Sequence, residues 1–319
     1  MKNHFLGISI TTPSYNQGQF LGRAIESVLS QSYGQLEYLV FDGGSTDGSL
    51  EIIREYADRI SFWTSKSDLG QSDAINKGWR RSTGEIISWL NSDDYLLSGT
   101  LETVAHEFQA NPSLVALVGS CLIVDADGKI TGHKYARAFD LPRLIATSGG
   151  VPGQPAVFLR RCVMDDVGYL DTHLHYTMDW EYWIRLALRY PPQRIKVVYK
   201  PLAALRLWEG TKTTKGVIAI CEEHRKTLKR LFATGGLPAG LQRLKSISES
   251  GTYWKQADLE WKAHMITPAR KSARRAAGMV PSLHAIMRLV VFLISTFFSP
   301  ANWNKIRRIK LYWQRRRGV

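Results

Sequence analysis

Two adjacent carboxylates, Asp93 and Asp94, follow an apolar run and are the residues of this chain best suited to chemistry. Burying two neighbouring negative charges is costly unless a cation balances them. A hard divalent ion such as Mg²⁺ or Mn²⁺ does so through oxygen ligands, and it also binds phosphate groups. Taken alone, the pair is also compatible with solvated aspartates that open a loop or cap a helix.

Four further polar segments accompany this pair. Residues 42–49 read DGGSTDGS, where three glycines permit tight turns and Asp42 can accept hydrogen bonds from a base or ribose. The ring of Tyr15, in PSYN, can stack on a nucleobase. Residues 68–78 add carboxylates, amides and a lysine. Asp179 opens a helical pattern, either as a helix cap or as a general base for an acceptor hydroxyl.

Apolar strand-like runs alternate with amphipathic helical runs over the first 130 residues. This alternation predicts an α/β fold with parallel βαβ units, in which ligands bind at the carboxyl ends of the strands. PSYN, DGGSTDGS and NSDD each follow a predicted strand, so we expect them at one edge of the sheet. Strands are predicted at 8–12, 36–41, 61–64, 85–90 and within 114–124, and helices at 19–31, 49–56, 72–81, 100–110 and 180–190.

Positive charge is concentrated at the end of the chain. Residues 262–319 contain 13 Lys and Arg and no acid, whereas residues 1–261 contain 29 basic and 28 acidic residues. A catalytic domain that grips nucleic acid is therefore not expected. Residues 287–298 are mainly apolar but shorter than the roughly 20 residues that span a bilayer. With the basic and aromatic residues that follow, residues 281–319 are predicted to bind a membrane surface, or alternatively to pack on the domain as a helix with a basic end.

The three cysteines, Cys121, Cys162 and Cys221, are widely spaced and include no C-x-x-C pair. This spacing indicates neither a disulfide framework nor a zinc site, and it suits a reducing compartment. Residues 1–4 lead directly into the first predicted strand, so no signal peptide is expected. We therefore expect a cytoplasmic protein that is peripheral on the inner face of the cell membrane.

Taken in order, the segments ISITTPSYNQGQFLGRAIESVLSQSY, LEYLVFDGGSTDGS, DLGQSDAINKG and WLNSDD resemble glycosyltransferase family 2. The likeness covers about residues 6–130 and continues more weakly, through VPGQPAVFLRR and MDWEYWIRLA, to about residue 215. It implies the GT-A fold, a Rossmann-like, mostly parallel central sheet with helices on both faces, here followed by a helical C-terminal region. The expected divisions are a GT-A domain at 1–215 (nucleotide-sugar half 1–130, acceptor half 131–215), a helical extension at 216–280 and a membrane-associating tail at 281–319.

The resemblance also implies a bacterial polysaccharide enzyme that inverts the anomeric centre of a nucleoside-diphosphate sugar, with a UDP-sugar favoured. Asp94 would bind Mg²⁺ or Mn²⁺, Asp179 would be the catalytic base, and Arg206 and Lys212 would assist the diphosphate. The acceptor would be lipid-linked or an oligosaccharide. The implied nucleotide-sugar contacts are Thr12, Pro13, Tyr15, Asp42, Asp68, Gln71 and Asp93.

The chain departs from the family pattern at two positions. Asn91 replaces the first aspartate of the common DSDD run, so it cannot be a charged ligand and is expected to be a polar bystander. Trp208 stands where a histidine often assists the metal or diphosphate. Gln154 is expected on the acceptor side.

Two other functions are compatible with the residues. A nucleotidyltransferase also combines an α/β nucleotide domain with paired aspartates, but it usually carries a Gly-rich signature with Arg or Lys near the N-terminus, which PSYN and DGGSTDGS do not supply. A non-catalytic saccharide- or lipid-binding module with a decayed metal site is the other alternative, given Asn91 and Trp208. The chain has neither a G-x-G-x-x-G nor a G-x-x-x-x-G-K-[ST] motif, which argues against a dehydrogenase and a P-loop ATPase.

Overall fold

The structure is a computed structural model that describes residues 6–147, 151–212, 216–233 and 237–300. The chain divides into two compact units. The first, which we call the sheet unit, comprises residues 1–144 and 149–214. The second, the helical unit, comprises residues 145–148 and 215–319.

The sheet unit is built on a nine-stranded sheet in the order β3-β2-β1-β4-β8-β6-β9-β5, with β7 beside β6. Strands β1 to β4 pair in parallel. Strand β8 is antiparallel to both β4 and β6, so β6 and its parallel partner β9 run in the same direction as β1 to β4. The carboxyl ends of β1 to β4, β6 and β9 therefore face one edge of the sheet. The strands are β1 Ile8–Ser14, β2 Leu36–Asp42, β3 Phe62–Ser65, β4 Ile86–Trp89, β5 Tyr95–Leu96, β6 Ala116–Val124, β7 Ile130–Lys134, β8 Val157–Arg160 and β9 Ile195–Arg206.

Helices alternate with the strands over the first half of the chain. Helix α1 buries Leu21, Ile25 and Val28, whose spacing places them on one helical face. The isoleucines of β1, Ile8 and Ile10, belong to the same core cluster. The helices up to residue 189 are α1 Gly18–Leu29, α2 Ser49–Glu55, α3 Gln71–Arg81, α4 Thr100–Ala110, α5 Leu141–Thr147, α6 Val163–Val167 and α7 Met178–Arg189, with short 3-10 turns at Ala57–Arg59, Gln154–Ala156 and Pro192–Arg194.

The predicted α/β architecture is confirmed, and the predicted elements of the first 130 residues are present with ends shifted by one or two residues. The parallel pairing holds for β1 to β4, whereas the part of the sheet beyond β4 mixes parallel and antiparallel pairs. The direction of β8 was not predictable, because a short buried apolar run pairs equally well in either direction.

The helical unit contains α8 Val217–Ala233, α9 Ala239–Gln242, α10 Lys245–Lys262, α11 Ile266–Met279 and α12 Leu283–Ser295. Alanines at the contacts of α10, α11 and α12 form a cluster with Trp254, so the helices approach closely. No helix within the described ranges has the length and apolar character needed to cross a bilayer. About half of the predicted membrane-associating tail, residues 301–319, lies outside the described residues.

Gly78 lies where α3 packs against β1. A Cβ atom there would lie 2.2 Å from Thr11 Cγ2 and 2.4 Å from its Oγ1, and Thr11 is fully buried. We expect Gly78→Ala to lower the free energy of unfolding by about 1–3 kcal/mol, because overpacking outweighs the better helix propensity of alanine.

Gly278→Ala is the matched control in thermal denaturation, since Gly278 also lies in the last turn of a helix but has no atom of a neighbouring segment within 4 Å of its Cβ position. For Gly278→Ala we expect the free energy of unfolding to rise by up to about 1 kcal/mol. Shifts of the same sign in both variants would contradict this account of the α3–β1 contact.

Candidate active site

A cavity of about 490 Å³ opens where the parallel strands end. Its walls come from the residues that follow β1, β2, β3 and β4 and from the end of β9, because these ends share one edge of the sheet. Most of the predicted site residues line it: Pro13, Tyr15, Asp68, Gln71, Asp93, Asp94, Asp179, Arg206 and Lys212. The structure brings these residues together from segments that are far apart in sequence.

One end of the cavity combines an aromatic ring with a carboxylate. Tyr15 is 64% exposed. A Cβ atom at Gly43 would lie 3.2 Å from Asp68 Oδ2 and 3.3 Å from Tyr15 Cδ2, so the glycine lets ring and carboxylate approach each other. Burial raises the pKa of Asp68, although its hydrogen bond from the Gly70 N–H opposes the shift. A stacking surface beside a hydrogen-bonding carboxyl group is suited to a nucleobase.

Two predicted nucleotide contacts, Thr12 and Asp42, do not line the cavity. Asp42 Oδ2 accepts hydrogen bonds from the Ser45 N–H at 2.9 Å and the Ser65 hydroxyl at 2.7 Å. Thr12 Oγ1 accepts one from the Tyr38 hydroxyl at 2.9 Å. Both side chains are buried. Both side chains thus help to shape the cavity wall, and their predicted contact with the nucleotide stays a prediction.

The carboxylate pair lies in the wall formed by the residues after β4. Asp94 is buried, and its Oδ1 accepts a hydrogen bond from the Arg206 backbone N–H at 2.8 Å. Asp93 Oδ2 accepts one from Trp208 Nε1 at 3.3 Å. Burial raises the pKa of both carboxyls, and the charge of Asp93 raises that of Asp94 further. Such a pair gains stability from a cation beside it.

Asn91 is the centre of a polar network, which corrects its prediction as a bystander. Its Oδ1 accepts a hydrogen bond from Gln71 Nε2 at 2.7 Å, and its Nδ2 donates to Asp94 Oδ2 and to Gln154 Oε1, both at 3.2 Å. Only an amide can donate and accept in this way, whereas an aspartate here would place a third negative charge against Asp94. Gln154 Nε2 in turn donates to the Trp89 carbonyl at 2.7 Å, which orients the network.

The two cationic residues predicted for the diphosphate have different surroundings. The guanidinium group of Arg206 is buried and donates to the backbone carbonyls of Asp93, Asp125 and Ala126 at 2.9, 2.8 and 2.6 Å. Arg206 therefore holds the backbone at Asp93, and its predicted contact with the diphosphate stays a prediction. Lys212 is exposed on the cavity wall, where its Nζ donates to Gln71 Oε1 at 2.9 Å.

Trp208 packs its ring edge-on against Phe20, with 5.0 Å between the ring centroids. Its indole N–H, which donates to Asp93, cannot ligate a metal. The position at which the family often carries histidine therefore stabilises the Asp93 carboxylate directly.

Asp179 lies in the first turn of α7 and lines the same cavity. Its Oδ1 accepts a hydrogen bond from the Trp180 N–H at 2.7 Å. Trp183 of the same helix stacks on Trp89, the last residue of β4, with 5.6 Å between centroids. Because both rings are buried, this stack fixes the helix that carries Asp179 relative to the strand that carries the carboxylate pair.

The oxygen donors of Asp93 and Asp94 fit a hard divalent cation. Within the described residues, no group of three or more His, Cys, Asp or Glu is placed to hold a metal by itself. The pair therefore fits a site that is completed by other oxygen ligands, such as those of a diphosphate.

Three further residues of the cavity wall were missed in the sequence: Gln17, His175 and Tyr176. His175 and Tyr176 come just before the helix that carries Asp179, so their position in the sequence could have indicated that they lie in the cavity wall. No sequence pattern indicated Gln17. Its amide oxygen accepts a hydrogen bond at 2.7 Å from the hydroxyl of Ser92, which is 75 residues away in the chain.

Comparison with known proteins gives matches along much of the chain. Residues 9–162 match the family model described as glycosyl transferase family 2. An uncharacterised glycosyltransferase of Nostoc sp. is 25% identical over 233 residues, which cover 69% of this chain and 70% of that protein. The poly-beta-1,6-N-acetyl-D-glucosamine synthase of Staphylococcus epidermidis is 25% identical over 215 residues, 64% of this chain and 52% of the synthase. The chain thus spans about half of that synthase.

Two solved structures share the fold. TarS of S. aureus (residues 1–349), in complex with UDP-GlcNAc, superposes with a TM-score of 0.62 at 17% identity, covering 91% of this chain and 84% of TarS. The mannosyltransferase PcManGT of Pyrobaculum calidifontis, in complex with GDP-Man and Mn²⁺, gives a TM-score of 0.57 at 17% identity, with coverages of 96% and 85%. At this identity the likeness shows the fold alone, and it confirms the GT-A fold.

Proposed function

Since the chain is a glycosyltransferase and its residues 9–162 match glycosyl transferase family 2, we propose that it transfers a sugar from a nucleoside-diphosphate sugar to a saccharide or lipid-linked acceptor. This proposal depends mainly on one observation: a nucleobase-type site, the Asp93–Asp94 pair and Asp179 line the same cavity. The binding of UDP-GlcNAc by TarS and of GDP-Man by PcManGT supports the donor class.

The reaction is a direct displacement at the anomeric carbon, with inversion. Asp179 takes the proton of the acceptor hydroxyl as that oxygen attacks, and the bond to the diphosphate breaks with both electrons leaving on the diphosphate oxygen. Tyr15 and Asp68 hold the base, and Lys212 lies where it can contact the leaving group. Asp93 and Asp94 would hold Mg²⁺ or Mn²⁺, which when bound neutralises the charge of the leaving diphosphate.

A panel of UDP-, GDP-, dTDP- and CMP-sugars, each with and without Mn²⁺, tests this function. We expect one donor class, UDP-sugars by preference, to raise the melting temperature only with the metal, because a bound ligand stabilises the folded state by mass action. The same donor should be hydrolysed slowly in the absence of acceptor. Binding of a nucleotide sugar without turnover of any donor would instead favour a non-catalytic binding module.

The helical unit supplies a surface for the membrane, where a lipid-linked acceptor is found. Helix α12 buries Ala285 against α10 and α11, while its opposite face is exposed. The exposed apolar side chains recur at helical spacing: Leu283, Ile286, Met287, Val290, Val291 and Ile294, from 48% to 75% exposed. Residues 262–319 carry only positive formal charge. An apolar helical face in basic surroundings is suited to an anionic lipid surface, here the inner face of the cell membrane.

Vesicle binding tests this surface. We expect the full chain to bind phosphatidylglycerol vesicles and not phosphatidylcholine vesicles, and Val290→Glu to weaken binding at least about tenfold, because it adds a charge to the apolar face. Ile247→Glu is the control, since Ile247 is 44% exposed on α10, outside the exposed face of α12. Membrane fractionation that is unchanged after deletion of residues 281–319 would exclude the proposal.

A further inference from the structure

A second cavity, lined mainly by basic side chains, involves none of the residues of the active-site cavity. Its volume is about 410 Å³. We call it the basic cavity and define it by His133, Lys134, Tyr135, Arg137, Arg143 and Val151. It forms around the end of β7 and the segment that follows this strand.

Basic residues outnumber acidic ones in the segment that forms this cavity. Between residues 128 and 147, four Lys and Arg face a single acid, Asp140, whose carboxylate accepts a hydrogen bond from the Arg143 backbone N–H at 2.9 Å. Neither Lys134 nor Arg137 forms an ion pair or a side-chain hydrogen bond with any other described residue. Lys134 is partly buried and Arg137 is exposed. Such cations attract a compact anion with several oxygens, because arginine offers a planar fork and lysine a point charge.

The basic cavity is adjacent to the active site. Val151 lines the basic cavity and Gln154 lines the active-site cavity. Their Cα atoms are at most about 11 Å apart, since only three Cα–Cα steps of the chain separate them. Gly153 keeps this segment close to the β6–β7 hairpin, because a Cβ atom there would lie 2.3 Å from Cys121 Sγ and 3.6 Å from Lys134 Cδ.

From this arrangement we propose that the basic cavity binds a phosphate or diphosphate group carried by the acceptor, while the acceptor hydroxyl lies at Asp179. The inference rests on the proposed glycosyl transfer and adds the chemistry of the acceptor to it. Nucleic acid is a poor candidate for the same cavity, because residues 1–261 carry almost equal numbers of basic and acidic side chains.

Titration of the full chain with inorganic pyrophosphate tests the site by calorimetry. The buffer contains EDTA, so that no divalent ion can bridge the probe to Asp93 and Asp94. We expect saturable binding that weakens about tenfold in Lys134→Gln and in Arg137→Gln, since each variant removes one charged hydrogen-bond donor.

Lys129→Gln is the matched control. Lys129 is an exposed cation at the turn of the same hairpin but does not line the cavity, so its variant should bind like the wild type. Absence of saturable binding in the wild type, or an equal loss in all three variants, would overturn the proposal. Thermal denaturation without ligand verifies that each variant is folded.

Two further measurements separate this inference from the proposed function and identify the source of the anion. Slow hydrolysis of the donor sugar should be the same in the wild type and Arg137→Gln. If the wild type hydrolyses no donor, the proposed function fails while pyrophosphate binding still stands. Competition by polyprenyl diphosphate in phosphatidylcholine vesicles assigns the site to a lipid-linked acceptor, competition by glucose 1-phosphate assigns it to a soluble one, and competition by neither contradicts the acceptor role.

Discussion

Asp94→Asn is expected to lower kcat/KM for the donor sugar by about a thousandfold, which corresponds to about 4 kcal/mol of lost transition-state stabilisation. The variant keeps the size of the side chain and an oxygen that can accept the hydrogen bond from the Arg206 N–H. It loses the negative charge that would hold a divalent cation beside the diphosphate. The rate at which nucleoside diphosphate is released from the donor, measured over a range of Mn²⁺ concentrations, gives kcat/KM for the variant and the wild type.

The same substitution should leave the metal-free protein at least as stable as the wild type. The pKa of Asp94 is raised by burial and by the charge of Asp93, so the native site is unfavourable for its carboxylate. An amide removes this cost. Asp127→Asn, an exposed carboxylate outside the cavity, is the control for activity. Metal-dependent turnover within about tenfold of the wild type in Asp94→Asn would exclude a metal role for this residue.

Asp179→Asn is expected to lower kcat by about 10²–10⁴-fold, the usual contribution of a positioned general base. Donor binding should remain unchanged, because the loss concerns proton transfer from the attacking hydroxyl or water and not the diphosphate. A metal-dependent thermal shift with the donor measures binding, and donor hydrolysis measures turnover. The two aspartate variants are therefore distinguishable, since Asp94→Asn should lose the metal-dependent shift and Asp179→Asn should keep it.

Glu181→Gln is the matched control for Asp179. Both carboxylates lie in the first turn of α7, but Glu181 pairs with Arg185 at 2.8 Å and does not line the cavity. Its variant should keep activity close to that of the wild type. Equal losses in Asp179→Asn and Glu181→Gln would indicate that disturbance of the helix, and not loss of a base, explains the effect.

The sequence determined the architecture of the first 130 residues well, because the signals there are local. Apolar periodicity located each strand and helix, and the polar segments after the strands predicted the edge at which the cavity lies. The same rules located α7 and placed Asp179 near its start. Parallel strands share the position of their carboxyl ends, so strand order was not needed to bring Tyr15, Asp68 and Asp94 to one edge.

The directions of individual side chains could not be read from the sequence. Asp42 ends a strand as predicted, yet its carboxylate accepts hydrogen bonds from Ser45, in the loop that follows, and from Ser65, at the end of β3. Arg206 bonds the carbonyl of Asp93, which is 113 residues earlier in the chain. Nothing local specifies such a bond, because the partner depends on the register of β9 in the sheet.

By itself, therefore, the sequence indicated the family resemblance through its motifs, and it determined the α/β class and the edge of the sheet that carries the chemistry, since these follow from periodicity and from the position of polar segments at strand ends. Only the tertiary structure decided which polar groups meet there. It placed Asn91 between Gln71, Asp94 and Gln154, and it set the basic cavity three residues from the active site. The contact of Gln154 depends on the antiparallel insertion of β8 between β4 and β6, a long-range pairing that no local pattern encodes.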